Sequence, residues 1–466
     1  MKTSSIKSIA ILLAILLCGS FSQAQDITGQ WNGVLSVQGM KLRLVFHIEK
    51  TNDGYASTMD SPDQKAVGIA VASTTFDGST LSLNASNLGI RYEGQFKTDS
   101  IVGTFKQSGM SFPLTLKKTK EEPPALVRPQ EPKPPCLYRT EDVTFENADA
   151  GVTLSGTLTM PATGANFTAV VLITGSGAQN RDEEIMGHKP FLVIADYLTQ
   201  RGIAVLRYDD RGTAHSTGNF GTSTTADFST DTESAIAYLK SRKEINPHKI
   251  GLMGHSEGGI IASMVAARSK DVAFIVMLAG TGMCGDELLL MQTELIAKHS
   301  GTPENMIAQA AKLNALLYGK IVNAKEEVSL QEMIDFMTTL DEMDTFIPEG
   351  VPKEDFIKNA SMQITAPWTQ YFLRYNPALA LEKVKCPVLA VNGAKDLQVP
   401  SKENLTAIGA ALKKGGNTKV TTKEYPNLNH LFQECDTGSP DEYATIEQTF
   451  SPEVLKDLGD WILRQR

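Results

Sequence analysis

The chain has 466 residues, 41% of them hydrophobic and 21% charged, and carries a formal net charge of −9. Single cores stop growing at roughly 250–300 residues, so this length calls for two folded units, and the apolar fraction excludes a chain too polar to bury a core. The acidic balance, with no basic block, argues against nucleic acid as a partner.

The first residues, "MKTSSIKSIAILLAILLCGSFSQAQ", place Lys2 and Lys7 before an apolar run from Ile9 to Leu17, followed by Ser22 and Ala24. This is the pattern of a secretory signal peptide cleaved after Ala24, so residues 1–24 are expected to be removed and the mature chain to be secreted or periplasmic. The run is well short of the ~20 residues that span a bilayer, and no later stretch is longer, so no membrane insertion is expected. Cys18 offers a lipoprotein alternative, but Leu17 precedes it where such signals carry a small residue. Cleavage removes two lysines and no acidic residue, taking the formal charge from −9 to −11. Cys136, Cys284, Cys386 and Cys435 remain; none has Cys-x-x-Cys spacing, so neither a disulfide nor a metal site is assigned.

Residues 26–118 alternate short apolar runs with Gly, Asn and Asp, as in "LRLVFHIEK", "TLSLNAS" and "IRYEGQF". That pattern predicts an antiparallel β meander closing into a small barrel or half-barrel. The segment "ITGQWNGVL" resembles the first strand of lipocalin-like domains, in which a Trp closes one end; simple core packing is the plainer role for Trp31. Residues 119–136 are rich in proline and charge without apolar periodicity, which predicts an extended spacer between two domains.

From residue 137 to 466 strand-like runs such as "TAVVLITGSG", "IAVLRYDDRG" and "VAFIVMLAG" alternate with amphipathic helical ones. Continuous Val, Ile and Leu strands in such alternation predict a parallel sheet covered by helices on both faces. Between about 281 and 377 the alternation gives way to helical sequence, which predicts a cap inserted between two sheet strands.

"IGLMGHSEGG" sets Ser256 between Gly254 and Gly258, with a predicted strand at Lys249–Met253 and a predicted helix at Gly258–Arg268. A serine at that turn sits at a helix N-terminus, where free N–H groups and the helix dipole favour an oxyanion. Its hydroxyl needs a base, and the base needs an orienting group. Downstream, "VLAVNGAKDLQVP" supplies Asp396 and "YPNLNHLFQ" supplies His430, in the order Ser, Asp, His expected of α/β-hydrolases. The last 330 or so residues resemble that superfamily, in particular secreted bacterial carboxylesterases and serine-aminopeptidase-like hydrolases with a GHSEGG nucleophile elbow. The resemblance implies an α/β-hydrolase fold, a mostly parallel sheet flanked by helices with a helical cap, preceded here by the small antiparallel lipocalin-like domain. "RYDDRGTAHSTG" is similar to the Asp-x-Arg-Gly loop after the fourth strand, with Ala214 and His215 in place of the usual small-polar pair. "VLITGSGAQNRDE" stands where relatives carry a His-Gly oxyanion loop, so the oxyanion donors are assigned to the N–H groups of Glu257 and Ser176, with Gly177 as the alternative to Ser176.

Trp368, Tyr371 and His215 are candidate substrate contacts, with core packing or solvation as their plainer roles, and His188 is a weaker candidate. His255 is read as packing, because its side chain should point away from the nucleophile. The expected activity is hydrolysis of carboxylic esters, of short acyl chains, through the Ser256–His430–Asp396 triad and an acyl-enzyme, with no metal or organic cofactor and a small-molecule ester as partner. A serine peptidase acting on short peptides is the alternative within enzymes; a ligand-binding protein with an inert hydrolase fold is the alternative outside them.

Overall fold

The computed structural model describes residues 26–465 except 38–39, 53, 63–65, 108–109, 119–127 and 348–350. The predicted signal peptide and the first half of the proline-rich segment lie outside the described residues.

Eight strands form a closed antiparallel barrel in sequence order: β1 (Gly29–Val37), β2 (Met40–Thr51), β3 (Gly54–Ser61), β4 (Ala66–Phe76), β5 (Thr80–Ala85), β6 (Ile90–Lys97), β7 (Ser100–Gln107) and β8 (Met110–Lys118). Closure is made by β1 against β8, with Trp31 opposite Lys118 and Asn32 opposite Lys117. Period-two patterning drives it: along β6, Ile90 and Tyr92 are buried while Arg91 and Glu93 face out. Eight strands leave an interior that side chains can fill, and Phe46, Tyr92, Phe105 and Leu116 fill it here. The Tyr92 hydroxyl donates to the Ile101 carbonyl at 2.9 Å. Trp31 is fully buried, its indole N–H donates to the Ile27 carbonyl at 2.7 Å, and its ring meets Phe96 edge-on. The tryptophan therefore packs the barrel core.

The second unit is built on a sheet of β9 (Tyr138–Asn147), β10 (Val152–Pro161), β11 (Phe167–Ile173), β12 (Ala204–Tyr208), β13 (Ile245–His255), β14 (Phe274–Leu278), β15 (Val388–Gly393) and β16 (Val420–Tyr425). Its order is β16-β15-β14-β13-β11-β12-β10-β9, antiparallel at β9, β10 and β12 and parallel from β12 through β16. The chain has the α/β-hydrolase fold. Helices α1 (Pro190–Gln200), α2 (Thr225–Ser241) and α3 (Glu257–Arg268) alternate with the strands. A helical cap follows β14: α4 (Gly285–His299), α5 (Glu304–Val322), α6 (Leu330–Thr338), α7 (Lys353–Ile364) and α8 (Pro367–Arg374), with the short α9 (Ala378–Leu381) leading back to β15. Helices α10 (Ser401–Lys414) and α11 (Pro452–Arg464) complete the unit. Strands β12, β14 and β15 are buried along their whole length. On one face Ile236, Val265 and Ile408 of α2, α3 and α10 pack against them; on the other, Leu198 of α1 and Leu458 and Trp461 of α11 do so.

Within the proline-rich segment, Arg128 donates to the carbonyls of Met186, Gly187, Ala444 and Ile446. Gln130 accepts from the N–H groups of Thr449 and Phe450 and donates to the Phe450 carbonyl. Proline-rich backbone makes no ladder of its own, so composition reads as a spacer, but these two side chains bind residues 128–130 to the hydrolase unit.

Candidate active site

Strand β13 runs to His255 and α3 starts at Glu257, so Ser256 alone makes the turn between them. Its φ of 53° and ψ of −116° are strained for a residue with a side chain. Close contacts hold it there: the Ser256 N–H donates to the Leu278 carbonyl at 2.8 Å, stitching the turn to β14. A side chain at Gly254 would collide with the Gly258 carbonyl, and one at Gly258 with the Ile173 carbonyl. The Gly-x-Ser-x-Gly spacing is thus a demand for backbone-on-backbone contact, as a nucleophile elbow requires.

Asp396 lies in the loop after β15 and His430 in the loop after β16, both buried. His430 Nδ1 donates to Asp396 Oδ2 at 2.7 Å, while Asp396 Oδ1 accepts from the N–H groups of Gln398 and Val399, each at 2.8 Å. With Nδ1 donating, Nε2 keeps its lone pair for a proton. Ser256 and His430 line one cavity of about 110 Å³, with Ser176 and Glu257 also in its wall. The Glu257 N–H opens α3 and has no partner within the helix, and Ser176 follows β11 two residues beyond the Thr174 turn. Gly177 does not reach this cavity.

The loop after β12 supports the segment that follows β11. Asp210 accepts from Thr174 Oγ1 at 2.7 Å and from the Gln179 N–H at 2.9 Å, which pins both ends of the loop from Thr174 to Gln179. Arg211 is bidentate to buried Asp231, at 2.6 and 2.8 Å. Burial pushes Asp210 up to about 8; the two hydrogen bonds oppose this, and the charges of Glu257 and Glu183 add to it. An unfolded aspartate titrates at about 3.9, so the folded chain holds a proton that the unfolded chain releases. The stability from this group is complete below its unfolded value and is lost as pH rises toward 8. Asp210→Asn cannot ionise, and its Tm is expected to fall less than that of the wild type between about pH 5 and about pH 8, by a few degrees. Parallel Tm profiles would remove the buried acid from this account.

Of the other predicted contacts, Trp368 lines the cavity, stacked on Phe372 at 4.9 Å, and its indole N–H donates to Glu257 Oε1 at 2.8 Å. Tyr371 and His215 do not line it. Tyr371 instead stacks on Tyr375, and His215 sits exposed on the loop after β12, its N–H donating to Asp209. His188 is fully buried between Thr449 Oγ1 and the Tyr443 carbonyl, and burial, with the nearby Arg128 charge, lowers it to about 4, so it is a neutral structural residue. Met333, Met337 and Met343 of "MIDFMTTLDEM" fill the core of the cap.

The hydrogen bonding of three cavity side chains carries no sequence signal. The Glu257 carboxyl accepts from Thr225 Oγ1 at 2.7 Å as well as from Trp368, and burial raises its pKa against those two bonds. Glu183 accepts from the Gly175 N–H at 2.8 Å and from His255 Nδ1 at 2.9 Å. His255, read from the sequence as packing, is hydrogen-bonded through this pair and lines the same cavity as Ser256. Their partners come from segments far apart in sequence, so no spacing rule marks them.

Residues 149–422 match the family model described as X-Pro dipeptidyl-peptidase (S15 family). The chain is similar to the esterase EstD of Thermotoga maritima, 25% identical over 349 residues that make up 74% of this chain and 71% of that one. It is also similar to the polyketide transferase claH of Penicillium crustosum, 31% identical over 152 residues, 32% of this chain and 46% of that one. A solved esterase of Pyrococcus furiosus aligns at 16% identity with a TM-score of 0.43, covering 70% of this chain and 91% of that one.

Proposed function

From the premise that this chain belongs to the X-Pro dipeptidyl-peptidase (S15) family, and is thus a serine hydrolase, we propose that it cleaves carboxylic esters of short acyl chains. Ser256 Oγ attacks the acyl carbonyl as His430 Nε2 takes its proton, and Asp396 stabilises the imidazolium. The N–H groups of Glu257 and Ser176 hold the oxyanion. The proton then passes to the leaving alkoxide, and a water deprotonated by His430 releases the acid from Ser256.

The observation that carries the ester over the peptide reading is the state of the cavity's carboxyl groups. Among the described residues that line it, the carboxyls are Glu183 and Glu257. Glu183 is occupied by His255 and Gly175, and Glu257 by Thr225 and Trp368 with its pKa raised by burial. Neither is left as an anionic anchor for the ammonium group of a peptide N-terminus. Leu288, Leu289 and Phe372 narrow the remaining space, about 110 Å³, which suits a short acyl group. Export after cleavage of residues 1–24 is part of the same proposal, supported by Lys2, Lys7 and the run Ile9–Leu17; exported protein should begin at Gln25 on N-terminal sequencing.

A series of nitrophenyl esters and Xaa-Pro nitroanilides, assayed on the purified chain, tests this. Acetyl to hexanoyl esters are expected to turn over, with palmitoyl lower by about tenfold or more and the nitroanilides lower still. Faster cleavage of the nitroanilides would move the chain to the peptidases, and an inert protein unlabelled by a fluorophosphonate would leave only ligand binding.

A further inference from the structure

We propose that Glu183 and His255 are positioning residues, a buried carboxylate–imidazolium pair that holds the oxyanion loop and the loop bearing the general base in register with Ser256. This rests on the reading of Ser256 as nucleophile and His430 as base.

The two side chains are 3% and 7% exposed, and they join three segments. Glu183 Oε1 receives the Gly175 N–H at 2.8 Å, one residue before the oxyanion donor Ser176. The same oxygen receives His255 Nδ1 at 2.9 Å. On the other side of the ring, His255 Nε2 donates to the main-chain carbonyl of His430 at 3.0 Å. His430 is therefore held at two points, its ring by Asp396 and its backbone by His255. Gly175 packs closely against the pair: a Cβ there would stand 3.3 Å from Glu183 Oε1, 3.4 Å from Ser256 Cβ and 3.5 Å from His255 Nδ1.

Each ring nitrogen of His255 faces an acceptor that has no proton to give. A neutral imidazole donates from one nitrogen only, so satisfying both acceptors requires the imidazolium. Burial opposes that charge, but the charge and hydrogen bond of Glu183 outweigh it and raise the His255 pKa, with Asp396 contributing. The groups that face the pair are His430, whose ring centroid lies 4.7 Å from that of His255, and Asp396; Asp210 and Glu257 stand behind the oxyanion loop on the Glu183 side. Elsewhere His255 shares a small pocket with apolar Phe191, Leu278 and Phe432. Glu183 adopts a φ of 50°, a left-handed conformation that a residue with a side chain keeps only where its surroundings hold it. A displacement of about 1 Å at reacting groups costs up to ~100-fold in rate, so a pair that fixes two loops at once acts on kcat.

The test uses the full chain and its Glu183→Gln and His255→Gln variants. Labelling of Ser256 by a fluorophosphonate reports the machinery whatever the natural substrate, and kcat and KM for nitrophenyl acetate are measured from acid to mildly alkaline pH. Labelling and kcat are expected to fall by roughly 10–100-fold with KM little changed, and the double variant to be no worse than either single one. In His255→Gln the acid limb of kcat/KM should move to higher pH, because a cation beside the base is gone and an anion is left. In the unaltered chain, ¹⁵N NMR of labelled histidines should find both nitrogens of His255 protonated at about pH 8, where free imidazole is neutral. This last measurement decides the matter if the variants do not fold. Variants labelled at the wild-type rate with an unmoved acid limb overturn the positioning role, as does an unprotonated nitrogen on His255. A wild-type chain left unlabelled at Ser256 overturns the nucleophile reading and the proposal with it.

Discussion

Ser256→Ala is expected to lower kcat on short nitrophenyl esters by on the order of 10⁶-fold while leaving the fold intact, because triad members act as one unit and lose nearly everything together. Asp396→Asn should cost about 10⁴-fold. The asparagine keeps the shape, but it presents an amide where the His430 Nδ1–H now meets a carboxylate oxygen at 2.7 Å, so the ring tends to the wrong tautomer and Nε2 no longer accepts a proton. Removing Ser256 and Asp396 together should cost no more than removing Ser256 alone. Steady-state kinetics with a thermal melt on each variant checks this, and near-normal turnover by Ser256→Ala ends the assignment.

The second large effect is on stability. Gly258→Ala is expected to destabilise the hydrolase unit by about 3 kcal/mol or more, since its methyl group meets the Ile173 carbonyl and stands 2.7 Å from the Thr174 carbonyl oxygen, both fixed backbone. Gly254→Ala should behave alike, because its Cβ is driven into the Gly258 carbonyl. Gly409, within α10, is the control. A Cβ there has nothing within 4 Å, and alanine in a helix interior is expected to be neutral or stabilising by up to about 1 kcal/mol. Urea midpoints for the three variants test the contrast; a Gly258→Ala protein as stable as Gly409→Ala would mean that the elbow does not depend on the close approach of β11 and α3.

Where chemistry depends on neighbours in the chain, it was legible from residue order. Ser256 between two glycines, after a run of strand character and before one of helix character, describes a turn whose geometry is local, and the structure places only Ser256 in it. Alternation along "IRYEGQF" likewise announces which side of β6 is buried. Asp396 and His430 were legible for a related reason: each follows a strand of a parallel sheet, and loops after such strands converge at one edge. The structure brings these two side chains to hydrogen-bonding distance.

Periodicity, however, states only that a face is apolar or a loop polar, never what it will meet. Tyr371 and Trp368 are three residues apart on α8, and only the packing of the cap puts the second in the cavity wall and the first against Tyr375. The methionines of α6 and its C-terminal flank are apolar in sequence, yet whether they line the cavity or the cap interior was decided by α5 and α7 closing over them. Arg128 lies in a proline-rich stretch, and its four carbonyl partners come from two distant loops. The same is true of Glu183 and His255, 72 residues apart: their charge state depends on a low-dielectric enclosure and on a carbonyl supplied by a third segment, conditions that exist only once the sheet has assembled. The amino-acid order by itself therefore determined the turn at Ser256, the barrel alternation and the order of Ser256, Asp396 and His430, because each is set by local geometry or by strand sequence. Only the tertiary structure decided which polar groups are enclosed, which of them are paired, and which aromatic side chain faces the nucleophile, because those follow from contacts between segments that the chain brings together on folding.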